Sequence, residues 1–167
     1  DDYRGAFQMV EHLIKLGHED IALVTDQFNS STFNRIQGYR SGLLQNDLEI
    51  KHDLIVEIPV PSETPKIVQK LLDMKKNHPT AIFAANDLIA LGAMRVFKEK
   101  GIRIPEDLSV MGFDDIEEAS HSTPPLTTML VDRKALADSA FKAMKEMLST
   151  GSKSGFSMGV VPTLVER

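Results

Sequence analysis

Between Thr80 and Asp115 the sequence reads as a strand, a helix and a second strand, and that unit confines the chain to an open α/β sheet. Ala81-Ile82-Phe83-Ala84-Ala85 is an unbroken apolar run of strand length, the pattern of a strand buried on both faces. It ends at Asn86-Asp87. Leu88 to Lys100 carries Ile89, Ala93, Val96 and Phe97 at helical spacing and stops at Gly101, with Lys98 and Lys100 in its last turn. Pro105-Glu106-Asp107 turns the chain into the apolar run Leu108 to Phe113, which ends in acid at Asp114-Asp115. Two parallel strands therefore present amide and carboxylate groups at their C-terminal ends, where open α/β sheets place a ligand crevice.

The flanking segments repeat the alternation. Asp2 to Leu16 places Ala6, Met9, Val10, Leu13 and Ile14 on one helical stripe closed by Gly17, and Ile21 to Thr25 is a buried strand. Asp26 to Ser31 is a polar loop that opens a helix from Thr32 to Asn46, with Phe33, Ile36, Tyr39 and Leu43 expected inward. Leu54 to Pro59 reads as a strand. Ser62-Glu63-Thr64-Pro65 starts a helix carrying Ile67, Val68, Leu71, Leu72 and Met74, with a capping serine and a proline in its first turn. Beyond Asp115 come a loop from Glu117 to Pro125, a strand from Leu126 to Val131 and a helix from Arg133 to Ser149. That helix turns Leu136, Ala140, Met144, Met147 and Leu148 inward. A flexible turn over Ser152 to Gly155 and a last strand, Val160 to Val165, close the chain, with Pro162 marking an edge position. The expected fold is a doubly wound, mostly parallel sheet with helices on both faces.

A chain of 167 residues suffices for one well-buried domain. The net charge of −5 disfavours a direct grip on nucleic acid, which needs clustered Lys and Arg. Zero cysteines exclude a disulfide framework and fit a reducing compartment, so a cytoplasmic location is expected. The apolar stretches are strand-length and predict no membrane span. The chain starts on a helix-like run without Met, which reads as a piece of a longer chain.

No catalytic signature is present: no G-x-S-x-G elbow, no phosphate-binding glycine loop and no H-E-x-x-H. The five histidines lack metal-ligand spacing and read as surface residues, so no metal or cofactor is expected. Ser120-His121-Ser122 lies in a stretch of loop composition and supports no triad, which is defined by geometry. Asn86 and Asp87 have an ordinary role as N-caps, and Asp114 and Asp115 can satisfy backbone amides in a turn. Arg35, one residue from Ile36, reads by itself as a solvated charge beside a core stripe.

Taken together, ordered stretches change this reading. Gly5-Ala6 with His12-Leu13-Ile14-Lys15-Leu16-Gly17-His18, Arg35-Ile36-Gln37-Gly38-Tyr39, and Pro79 to Asp87 follow one another in a familiar order. Ala90-Leu91-Gly92-Ala93, Val110 to Asp115 and Pro124 to Thr128 continue it. The chain resembles the sensor domain of the LacI/GalR family of bacterial transcriptional repressors along nearly all its length.

The resemblance implies two periplasmic-binding-protein-like subdomains closing over a small effector, a sugar or sugar derivative. It places Arg35, Asn86 and Asp114 in the cleft, with Ser31 and Asn29 on the loop below and Phe113 as an aromatic cover for a sugar ring. It implies a homodimer through the helix Leu88 to Lys100 and the loop Glu117 to Ser122, with Leu88, Leu91 and Ser122 in the interface. Leu88, Leu91 and Arg95 form a second stripe on that helix. By the same resemblance, residues 18–131 and 157–167 form the C-terminal subdomain. The helices 2–16 and 133–149 would pack on an absent half, their stripes exposed or partnered elsewhere. Operator DNA would be read only by an N-terminal domain outside this chain. An alternative is a transport-type sugar-binding protein of the same fold, distinguished by a signal peptide upstream.

Overall fold

A computed structural model describes residues 1–26, 29–59, 63–150 and 158–167. Six strands form one sheet: β1 (Ile21–Thr25), β2 (Ile55–Glu57), β3 (Ala81–Ala84), β4 (Ser109–Asp114), β5 (Thr127–Leu130) and β6 (Thr163–Val165). Their spatial order is β2-β1-β3-β4-β5-β6, parallel throughout except for β6, which runs antiparallel along β5 at the edge. The connecting helices are α1 (Asp2–Lys15), α2 (Ser30–Gln45), α3 (Thr64–Leu72), α4 (Asp87–Glu99), the short α5 (Glu117–His121) and α6 (Arg133–Thr150).

Alternation along the strands divides the apolar residues between two faces. Ile21, Leu23, Ala81, Phe83, Met111 and Phe113 point toward α1 and α2. Ala22, Val24, Ile82, Ala84 and Val110 point toward α3 and α4. Each inner strand is thus covered on both sides, which is why its sequence is a continuous apolar run instead of an alternating one. The fold is the expected doubly wound α/β sheet.

The helix Asp2–Lys15 finds a partner within this chain. Ala6, Met9, Val10 and Leu13 are wholly buried in this core, against α2 and the sheet. Gly38 on α2 makes this packing possible: a Cβ there would lie 2.2 Å from the Tyr3 carbonyl oxygen, so only glycine lets the two backbones come so close.

Departures from expectation lie elsewhere. Phe33 is 55% exposed, because the buried face of α2 runs through Thr32, Ile36, Tyr39 and Leu43 and leaves Phe33 beside it. No residue of α6 is buried, so its expected inward stripe has no partner among the described residues. The stretch Glu117 to Pro125 contains α5, held where the Leu126 amide donates to the Ala119 carbonyl. The segment before β2 tightens into a 3₁₀ turn, His52–Leu54, and shortens that strand. The last strand begins only at Thr163, after Pro162, which has no N–H to give a ladder. Gln27 and Phe28 of the first polar loop, the expected cap Ser62 and the expected turn Ser152 to Gly155 lie outside the described residues.

Candidate functional site

The strand order places β1 between β2 and β3, so the connections leaving β1 and β3 diverge and open a crevice above their C-terminal ends. Asp26 follows β1 there, Asn86 follows β3, and Asp114 ends β4. Asn86 works twice. Its Oδ1 accepts the Ile89 amide at 2.9 Å, capping α4, while its Nδ2 donates to Asp26 Oδ2 at 3.0 Å.

Arg35 reaches the same edge from α2, whose N-terminus is capped by Asn29 accepting the Thr32 amide at 2.9 Å. Its guanidinium carbon lies 3.7 Å from the centroid of the Phe113 ring, a cation–π seat that leaves the planar edge for hydrogen bonding. Nε donates to Asp2 Oδ1 at 2.8 Å, Nη2 donates to Asp114 Oδ1 at 3.1 Å, and Nη1 donates to the Ala85 carbonyl. The Arg35 side chain is only 12% exposed, so these charge-assisted bonds act where water screens them weakly. Arg35 is therefore no solvated charge; it joins α1, α2, β3 and β4 at one point.

Asp114 and Asp115 occupy left-handed backbone, at φ 111° and 51°. Such conformations cost an L-residue energy and turn the chain sharply, which aims the Asp114 carboxylate back at Arg35. Burial is the largest influence on Asp114 and raises its pKa from the usual carboxylate value; Arg35 opposes that shift and nearby Asp2 adds to it. Asp115 is turned away and pairs with Arg167 at 2.7 Å.

Asp87 has a different role from its neighbour Asn86. It is completely buried, accepting the Thr128 hydroxyl at 2.5 Å and the Ile116 amide at 2.9 Å, and so pins the segment following β4 to β5 itself. Burial raises its pKa, with Asp114 and Asp115 adding to the rise against those two hydrogen bonds.

A cavity of about 260 Å³ opens over this edge, lined by Asp2, Ser31, Arg35, Asp114, Leu136 and Met158 among others. That is at or below the small end of ligand pockets, about 300–1,000 Å³, so these walls cover only part of a sugar-sized molecule. Of the expected contacts, Arg35, Asp114 and Ser31 line the cavity, and Asn86 joins the same edge through Asp26. Asn29 is engaged as the α2 cap. Phe113 is a correction: it is fully buried, on the strand face opposite to solvent and beneath Arg35, so its ring supports the arginine and offers no face to a ligand.

Two residues were missed. Asp26 stands directly after β1 and obeys the same edge rule that marks Asn86 and Asp114. Asp2 carries no signal in the sequence beyond being an acid at a helix start. On α4, Leu88 is 72% exposed, whereas Leu91 is partly buried against its own core. The Ser122 hydroxyl donates to the Ala119 and Pro124 carbonyls within its own loop. Among the described residues, no group of three acidic, histidine or cysteine side chains could hold a metal ion. No described helix is long and apolar enough to cross a membrane.

An α/β body with a polar crevice at the C-terminal edge of a 2-1-3-4-5 sheet is the architecture of a small-molecule binding domain. Residues 10–167 match the periplasmic binding protein-like domain family. The chain is 34% identical over 165 residues to the transcriptional repressor PurR of Vibrio cholerae, covering 98% of this chain and 49% of that repressor. A LacI-family regulator from Enterococcus faecium with bound ribose superposes with a TM-score of 0.85 at 30% identity, over all of this chain and 62% of that one. A cellobiose complex of the regulator CelR superposes at 0.90 with 28% identity, over all of this chain and 51% of that one. The chain belongs to the LacI/GalR family of transcriptional repressors, within their periplasmic-binding-protein-like sensor domain. These relatives are transcriptional regulators, not enzymes, and the chain spans about half the length of PurR.

Proposed function

We propose that this chain is the effector-sensing and dimerising part of a repressor, in which a small carbohydrate at the Arg35–Asp114 edge shifts the affinity of the whole protein for operator DNA. The observation that carries this reading is the seated guanidinium of Arg35. It is held over Phe113 and shared between Asp2 and Asp114, a rigid set of donors and acceptors suited to adjacent hydroxyls. Arg35, Asp114, Asn86 and Ser31 are the ligand contacts in this reading. Ribose and cellobiose bound by two structural relatives support the choice of a carbohydrate.

The small cavity implies a second wall, supplied by another part of a longer sensor. The bare apolar stripe of α6 is the surface on which that part docks. Ligand binding then favours the closed arrangement of the two parts, and the differential affinity for closed and open forms is the only free energy available to change DNA binding. DNA itself is read by a separate domain, consistent with the acidic balance of this one.

Calorimetry on the full-length protein tests the site, with ribose, cellobiose and other neutral sugars as probes. Arg35→Ala and Asp114→Ala should each cost about 1.5–3 kcal/mol of binding, roughly tenfold or more in affinity. Unchanged affinity in both variants, with circular dichroism showing intact folds, removes these residues from the site. For the homodimer, the exposed Leu88 is the cleaner probe than Leu91, whose side chain also supports its own core. Two-fold pairing through α4 would bring two copies of this stripe together. Leu88→Glu should therefore yield monomers by light scattering at micromolar concentration, and a folded variant that remains wholly dimeric removes α4 from the interface.

A further inference from the structure

We infer that the effector is an uncharged polyhydroxy compound and that the cleft discriminates against sugar phosphates and sugar acids. This rests on the carbohydrate-sensing reading above and narrows it. Two carboxylates, Asp2 and Asp114, share the guanidinium of Arg35 at the cavity, and a third, Asp26, stands at the same strand edge on Asn86. Arg35 shares its charge between two acids: Nε, Nη1 and Nη2 donate to Asp2, the Ala85 carbonyl and Asp114. An anion drawn to the N–H groups that remain would sit beside those two carboxylates.

Two acceptors are also left over. Oδ2 of Asp2 and Oδ2 of Asp114 have no donor among the described residues, and both side chains reach the cavity that Arg35 and Ser31 line. A sugar hydroxyl can donate to each of them; a phosphate dianion or a carboxylate has no proton to give. Arg133, the other cation whose charge reaches Asp114, acts more weakly than Arg35 and stands exposed on the first turn of α6.

The test is a matched panel on the full-length protein by thermal shift and calorimetry at one ionic strength: ribose with ribose 5-phosphate, glucose with glucose 6-phosphate and glucuronate, cellobiose with cellobionate. At least one neutral sugar should bind, and its anionic counterpart should bind at least about tenfold more weakly. Anionic members binding as tightly as their neutral partners overturn the inference and leave carbohydrate sensing standing. Binding by no member overturns both. Asp114→Asn supplies a second readout, because asparagine has the same shape and tolerates the left-handed backbone at this position. It should weaken the neutral sugar and narrow the neutral-to-anionic ratio at least about fivefold, a change of preference that a purely structural role would not produce. An unaltered ratio overturns the assignment of selectivity to these carboxylates.

Discussion

Helices α1 and α6 carry comparable apolar stripes, Ala6-Met9-Val10-Leu13 in one and Leu136-Ala140-Met144-Met147 in the other, yet the first is entirely buried and the second not at all. The difference lies outside both helices. Opposite α1 stands α2, with Gly38 and Gly42 at the crossing, so the two backbones meet and four α1 side chains enter the core. Its ends are also fixed: Asp1 caps the Arg4 amide, and just beyond the C-terminus His18 is bonded to β3 and β4 neighbours. Opposite α6 no described element packs closely enough to bury any of its residues, and Leu136 only borders the cavity. An amphipathic period states that a helix needs a partner; only the partner's surface states which one.

The largest effect that can break this comparison comes from paired truncations. Leu13→Ala removes a side chain with no exposed surface and should destabilise this chain by about 2–5 kcal/mol in urea unfolding, through lost burial and the cavity left behind. Leu148→Ala, on a residue 78% exposed, should stay within about 0.5 kcal/mol. Similar losses in the two variants would mean that α6 is packed in solution. In the full-length protein the second value should rise, and by how much measures the docking of α6 on its proposed partner.

The same contrast explains what the sequence could and could not convey. The inner strands were readable because burial on both faces leaves an unbroken apolar run, as at Ala81 to Ala85, and strand ends were marked by Asp and Asn. The two faces of α2 were harder. Phe33 was assigned to the stripe, but in the first turn Thr32 takes the buried position and Phe33 is left in solvent. At the site, Asp114 was marked by the strand-edge rule, whereas Arg35 was recoverable only through the family pattern, since its pairing with Asp114 joins residues far apart in the chain and no periodicity encodes it. Phe113 went astray because its ring, turned toward α1 and α2, is covered there by Arg35. Asp87 and Asn86, adjacent and chemically similar, received equal weight from the sequence. Burial then made one a pin between strands and left the other at the crevice.

The smallest expected effect concerns the exit of α1. His18 Nδ1 lies 2.9 Å from the Thr80 hydroxyl and Nε2 3.0 Å from the Ser109 hydroxyl, so one ring ties the end of the helix to the starts of β3 and β4. Burial lowers the pKa of this imidazole from its ordinary value of 6.5. Since the folded value lies below the unfolded one, the unfolded chain binds more protons in the interval between them. Stability from His18 is therefore complete above the unfolded value and is lost as pH falls through the folded one. Hydroxyl partners can accept from a charged ring as well as donate to a neutral one, which keeps the loss shallow. Urea unfolding of the wild type should show lower stability near about pH 5.5 than near about pH 7.5, and in His18→Asn that difference should shrink. An equal difference in the variant would leave His18 as a tether with no part in the pH dependence.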